Sequence, residues 1–212
     1  MLNFFKRIMQ YLHRNLNKPD RTARVALMAV LVMVSGCRAN VDDAVPGYDV
    51  VVYGGTPAGL TAAIQLAKAG KTVALIEPSA HIGGIMVNGL GGTDIDNHKE
   101  FQNSPAVGGL ALEFYRRIAA HYDRLDEFNT KLASRMKDPS VWRFEPHVAE
   151  QVINHWLNEF PVSVILNSRL EEGTKAVVKN GTVITQIRTE DGNTWSAKVF
   201  IDATLEGDLL AA

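Results

Sequence analysis

The residues best placed to do chemistry are Gly54, Gly55, Thr56, Pro57, Ala58 and Gly59, together with Glu77, 23 positions after Gly54. Glycines in this pattern, where a strand turns into a helix, suit the holding of a dinucleotide. The unpaired amides of the helix's first turn donate to a pyrophosphate, and the positive end of the helix dipole favours its charge. Gly54 permits the tight turn, Gly59 lets the helix pack close to the strand, and a carboxylate at the distance of Glu77 reaches a ribose hydroxyl. The common pattern is G-x-G-x-x-G, and Thr56 stands where its middle glycine lets backbone approach phosphate. Threonine there adds a β-carbon, which lengthens the approach, and a hydroxyl donor, which compensates for it.

The surrounding sequence supplies the elements this chemistry needs. Asp49 to Tyr53 is a short β-branched apolar run of the kind that forms a strand buried on both faces. Thr61 to Ala69 is rich in good helix formers, and Gly70 follows where a left-handed helix terminus favours glycine. Thr72 to Ile76 gives a second strand, which Glu77 ends. A glycine triplet alone is weak support for a nucleotide site, and an ordinary turn without ligand is the competing interpretation. A triplet that follows a strand, opens a helix and precedes a correctly spaced acid is much stronger.

Two further segments bear on which dinucleotide is meant. Ser79-Ala80-His81-Ile82-Gly83-Gly84, with Gly89, Gly91 and Gly92 beyond, predicts a glycine-rich loop where a plain nicotinamide-binding fold usually places a helix. Near the end, Lys198 to Ile201 predicts an apolar strand leaving through Asp202-Ala203-Thr204, small enough to let backbone approach a ligand at the carboxyl edge of a parallel sheet. Read by itself, that exit is equally a strand end whose Asp and Thr cap a helix.

With these motifs in view, the chain resembles the FAD-dependent oxidoreductases of the two-dinucleotide-fold type, in particular the envelope flavoproteins described as xanthan-lyase-like. The resemblance rests on GGTPAG at 54–59, IEP at 76–78, HIGG at 81–84, EPHVAEQVINHWL at 145–157 and KVFIDATLEGDLLA at 198–211. It implies FAD as cofactor, with Gly54 to Gly59 around the pyrophosphate, Glu77 on the adenosine ribose, and Gly83-Gly84 along the flavin side. It also implies that Asp202, Ala203 and Thr204 return the chain to the cofactor, with Gly207 and Asp208 beside them. Leu205 departs from the tyrosine expected there.

Catalytic residues are not identified. His98, His121, His147 and His155 are candidates by type alone, each more readily a surface or helix residue, and His81 reads as a loop histidine. Asn88, Thr93 and Asp94 are candidates for flavin or substrate contact by proximity in sequence. The segment Ile85 to Leu90 holds no thiol, which excludes a dithiol relay. No metal site is expected.

The amino-terminal sequence predicts export. The apolar run VALMAVLVMVSG at 25–36 follows Lys6, Arg7, Arg14, Lys18, Arg21 and Arg24. It is shorter than the ~20 residues of a membrane span and fits a signal-peptide core. It ends Val34-Ser35-Gly36-Cys37, a bacterial lipobox, and Cys37 is the chain's sole cysteine. A lipidated Cys37 would anchor the protein to a membrane outside the cytoplasm. No Arg-Arg pair precedes the run, so export of a prefolded, cofactor-loaded protein by the twin-arginine route is not expected. Residues 1–36 carry six of the 22 basic and one of the 23 acidic side chains, leaving a net charge of −6 beyond them, so no nucleic-acid partner is expected.

The expected organisation is a signal peptide at 1–36, a linker at 37–47 and an incomplete FAD-binding domain at 48–212 with a helical insertion at 100–160. The fold class is α/β, Rossmann-like, with a parallel sheet, the helical insertion and a β-meander, the carboxyl-terminal part missing. Within the helical segment Leu110, Phe114, Ile118 and Ala119 recur at helical spacing. Pro146 opens a second helix whose Val148, Val152, Ile153, Trp156 and Leu157 share one side. Val162 to Leu166 predicts a strand. Lys175–Val178 and Val183–Arg188 predict a hairpin about Asn180-Gly181, and Asp191-Gly192-Asn193 turns the chain into the last strand. Glu206 to Ala212 reads as the acidic opening of a helix, so the chain is expected to correspond to the amino-terminal part of such enzymes. The leading expectation is an oxidoreductase passing a hydride between an organic small molecule and flavin. The alternatives are a truncated, non-enzymatic nucleotide-binding lipoprotein and an NAD-dependent dehydrogenase, the latter disfavoured by Gly83-Gly84 and the late Asp-Ala-Thr.

Overall fold

The computed structural model describes residues 47–212 apart from 90, 91 and 101. The predicted signal peptide, the lipobox and Cys37 lie outside the described residues.

Strand β1 (Tyr48–Tyr53) leads into helix α1 (Pro57–Lys68) and strand β2 (Val73–Ile76); the strands lie within one residue of prediction, and the helix starts four residues before the predicted Thr61. Helices α2 (Gly109–His121), α3 (Leu125–Ser134) and α4 (Pro146–Leu157) follow. Strands β3 (Val162–Ile165), β4 (Val177–Asn180), β5 (Val183–Arg188) and β6 (Thr194–Asp202) precede a final turn of helix, α5 (Asp208–Ala211). The sheet has six strands in the order β3-β2-β1-β6-β5-β4. Its first four strands run parallel, and the hairpin β4-β5 joins antiparallel.

The pattern of side chains explains the layers. Val50, Val52, Val73 and Leu75 point to one face and pack with Leu60, Ala63 and Ile64 of α1 and Val148, Val152, Ile153 and Trp156 of α4. Val51, Tyr53, Ala74 and Ile76 point to the other, where Leu170, Ala176, Ile187 and Leu209 cover them. A strand covered on both faces has no polar side, hence the unbroken apolar runs. Helix α4, predicted as part of an insertion, shares this layer with α1.

Strand β6 is long because it serves two partners. Its start, Thr194 to Ser196, pairs with β5, and the rest, Ala197 to Asp202, pairs with β1. The hairpin reverses at Gly181-Thr182, between the paired Asn180 and Val183, one residue beyond the predicted Asn180-Gly181 centre. Gly181 has φ +61°, which fixes the turn there. Lys175, predicted in the strand, belongs to a short 3₁₀ turn, Gly173–Lys175. Helix α3 builds a separate cluster with Phe128 and Trp142, whose rings meet edge to face at 5.0 Å. Among the described residues no helix is long and apolar enough to cross a membrane.

Candidate functional site

Three segments converge beyond the carboxyl ends of β1, β2 and β6. The first is the turn Gly54 to Gly59. Gly54 has φ +105°, and a β-carbon on it would lie 2.6 Å from Thr204 N and 2.7 Å from the Ala203 carbonyl carbon. Only glycine lets the turn run this close to the exit of β6. A β-carbon on Gly59 would collide with the Gly54 carbonyl oxygen. The first and last glycines therefore do the packing work that their spacing predicts.

Thr56 behaves differently from the expectation. It is the N-cap of α1, only 8% exposed, and its Oγ1 accepts from Gly59 N at 3.3 Å. The same hydroxyl donates to Ala203 O at 2.6 Å. It is committed within the protein instead of offering itself to a phosphate. Pro57 has no amide hydrogen to place. Thr56 caps α1 and Ala58 stands in its first turn, where amides have no partner four residues back within the helix.

The second segment begins at Glu77, which is 9% exposed at the end of β2. Its Oε2 accepts from Gly55 N at 2.6 Å and its Oε1 from Ser79 N at 2.8 Å. Gly55 O in turn accepts from Gly83 N at 2.7 Å, so the second glycine loop hangs on the first. Ile82 is buried between them, and a β-carbon on Gly55 would come within 2.9 Å of it. Gly83 (φ +125°) and Gly84 (φ +54°) adopt backbone that favours glycine, and Gly84 lies against Thr56 and Pro57. Sequence reasoning missed Ile82 as an anchor, although a lone large apolar residue in a polar, glycine-rich loop was a usable signal.

The third segment is the end of β6. Ala203 N donates to Tyr53 O at 2.7 Å, which continues the ladder one step past the strand. The Asp202 and Thr204 side chains act as caps, the plainer of the two readings. Asp202 Oδ1 accepts from Thr204 N and Oγ1 at 2.9 and 2.7 Å, and its Oδ2 from Leu210 N at 2.7 Å. Burial pushes the Asp202 carboxyl up, but the hydrogen bonds from Thr204 and from the Leu209–Leu210 backbone prevail and hold it below the ordinary value. Thr204 Oγ1 accepts from Gly207 N and Asp208 N at 2.9 and 3.1 Å. What this segment brings to the convergence is the backbone of Ala203 and Thr204.

The remaining candidates fall elsewhere. His81 is exposed, with Nδ1 2.9 Å from Glu150 Oε1 on α4. His121, His147 and His155 are exposed on α2 and α4. Asp94 accepts from Asn103 Nδ2 through its carbonyl at 3.1 Å, in a loop organised by buried Asp96, whose Oδ1 accepts from the Asn103 and Ser104 amides. An open depression of about 510 Å³ between α2 and α4, lined by Arg117, His121, Gln151 and His155 among others, shares no residue with the turn. Among the described residues no group of three or more His, Cys, Asp or Glu could hold a metal.

The convergence fits a dinucleotide cofactor. It offers the positive end of a twelve-residue helix, a carboxylate at the neighbouring strand end, and glycine backbone on both sides. Among solved structures, L-proline dehydrogenase from P. horikoshii is similar at 15% identity, with a TM-score of 0.51 over 77% of this chain and 54% of that one. L-amino acid deaminase from Proteus vulgaris is similar at 15% identity and TM-score 0.47, over 74% and 47%. Thioredoxin reductase from T. acidophilum is similar at 17% identity and TM-score 0.41, over 74% and 34%. The chain thus spans about half the length of the first and less of the other two. The first likeness supports the fold, a Rossmann-like cofactor-binding domain. No curated protein matches the sequence significantly. The profile of the family described as FAD dependent oxidoreductase matches residues 49–212. The chain belongs to that family, and FAD is its cofactor.

Proposed function

We propose that this chain forms the FAD-holding part of an oxidoreductase that passes a hydride between an organic small molecule and flavin. The observation that carries the reading is the glycine turn Gly54 to Gly59 at the start of α1, joined through Gly55 N to the Glu77 carboxylate at the end of β2. In this reading Gly54, Gly55, Thr56, Pro57, Ala58 and Gly59 surround the pyrophosphate. Glu77 receives the ribose hydroxyls on its remaining lone pairs. Gly83 and Gly84 follow the cofactor toward the flavin, and Asp202, Ala203, Thr204, Gly207 and Asp208 close the near side. Bound FAD supplies the hydride chemistry, while the protein positions it.

We also propose that the protein works outside the cytoplasm, held to a membrane by lipid on Cys37. The basic flank, the short apolar run and the Val34-Ser35-Gly36-Cys37 sequence support this.

The test is reconstitution. The full chain, incubated with FAD and desalted, is expected to keep the visible absorbance of bound flavin, and Gly59→Val to lose it. A wild-type chain that retains no flavin would refute the cofactor reading.

A further inference from the structure

The pairing of Thr56 with Ala203 joins parts of the cradle 147 residues apart in sequence, and the cofactor assignment does not require it. Ala203 is clasped from both sides. Its N–H is held by Tyr53 O at the end of β1, and its carbonyl by the Thr56 hydroxyl at the start of α1. The approach is tight because Gly54, between those two residues, has no side chain to hold Ala203 off. Ala203 is 8% exposed, so a carbonyl left without the hydroxyl would have little access to water. The hydroxyl also caps Gly59 N, so one oxygen sets both the start of α1 and the position of the β6 exit.

We propose that Thr56 is a positioning residue for the cofactor: its hydroxyl fixes the spacing between the α1 turn and the Ala203-Thr204 backbone, and through that spacing sets the affinity for FAD. This rests on the FAD reading above. It also means that threonine here is a working substitute for the usual glycine. Glycine at this position would leave the β6 exit untied.

The experiment compares the full wild-type chain with Thr56→Ser, Thr56→Val and Thr56→Gly. FAD affinity, the visible circular dichroism of the bound flavin and thermal unfolding of the apoprotein are measured for each. If the hydroxyl sets the spacing of the cradle, Thr56→Val and Thr56→Gly are expected to bind FAD about tenfold more weakly and to alter the flavin signal. Thr56→Ser, which keeps the hydroxyl, is expected to stay within about twofold of wild type with the same signal. Thr56→Val and Thr56→Gly proteins that melt earlier yet bind FAD with wild-type affinity and signal would reduce Thr56 to a helix cap and overturn the proposal. So would a Thr56→Ser variant as impaired as Thr56→Val. Should Thr56→Val not fold, the contrast between Ser and Gly decides. Wild-type protein that binds no FAD defeats the cofactor reading itself, and this proposal with it.

Discussion

Glu77 has both carboxylate oxygens committed to main-chain amides before any ligand arrives. Each oxygen keeps a second lone pair, so the side chain can brace the turn and still accept from a ribose. The bracing is testable apart from the cofactor. In Glu77→Gln an amide NH₂ group must face either Gly55 N–H or Ser79 N–H, donor against donor. The apoprotein is expected to lose about 1.5–3 kcal/mol, the worth of a hydrogen bond to a charged group, seen as a lower urea midpoint. An unchanged midpoint would mean that the carboxylate does not hold the turn. The acid itself was legible from its distance to Gly54, because that distance is set by one strand, one helix and one turn. Its grip on Gly55 was not, and neither was the destination of the Thr56 hydroxyl. Local pattern says what a side chain can donate, but the acceptor at Ala203 comes from the far end of the chain.

The elements that were readable are those whose signals are local. Strands β1 and β2 stand within one residue of prediction, because β-branched runs mark them, and helix α1 ends one residue before the predicted Ala69 but starts at Pro57, four residues before the predicted Thr61, because proline suits the first helical position. The buried faces of α2 and α4 follow from apolar spacing. Helix α3 was not separately legible. It buries only Phe128 among its ten residues, and Arg135, not glycine, takes the left-handed position at its end with φ +54°. Arg124 at its N-cap, Glu127 and Lys131 form ion pairs, but Arg124 and Glu127 are exposed and Lys131 half-buried, so the pairs contribute little to defining it. The tip before β6 carries a pH dependence. Burial pushes Asp191 up, but hydrogen bonds from Thr189, Asn193 and Ser168 prevail and lower its pKa from the ordinary 3.8 to about 2. A carboxyl depressed by folding stabilises the native state above its unfolded pKa, and the contribution is lost as pH falls from about 4 through about 2. Wild type is therefore expected to lose more stability across that window than Asp191→Asn, measured by urea unfolding at either end. Equal losses would show that Asp191 does not link the tip to pH.

Across the molecule, the parallel sheet, the helical segment and the meander were all legible in outline, and the strand order follows from the long return of β6 to β1. The proposed anchor is decided by one residue. Cys37→Ser is expected to shift the protein from the membrane fraction to the soluble fraction, and unchanged membrane association would exclude lipidation as its cause. The pairing of β1 with β6 also governs timing. Tyr53 and Asp202 are neighbours in the sheet, with nearly all of the described chain between them. Bringing together ends separated by about 150 residues costs roughly 4–5 kcal/mol of chain entropy beyond a constant, a cost met before the contact stabilises anything. Contacts this distant in sequence also form slowly. A chain emerging from the ribosome or a translocation channel can form β1, α1 and β2 early, with Gly54 to Gly59 already in sequence. The Ala203 side of the cradle follows the Gly54 to Gly59 side by well over a hundred residues, so the two sides can face each other only once β6 has been made and has paired with β1.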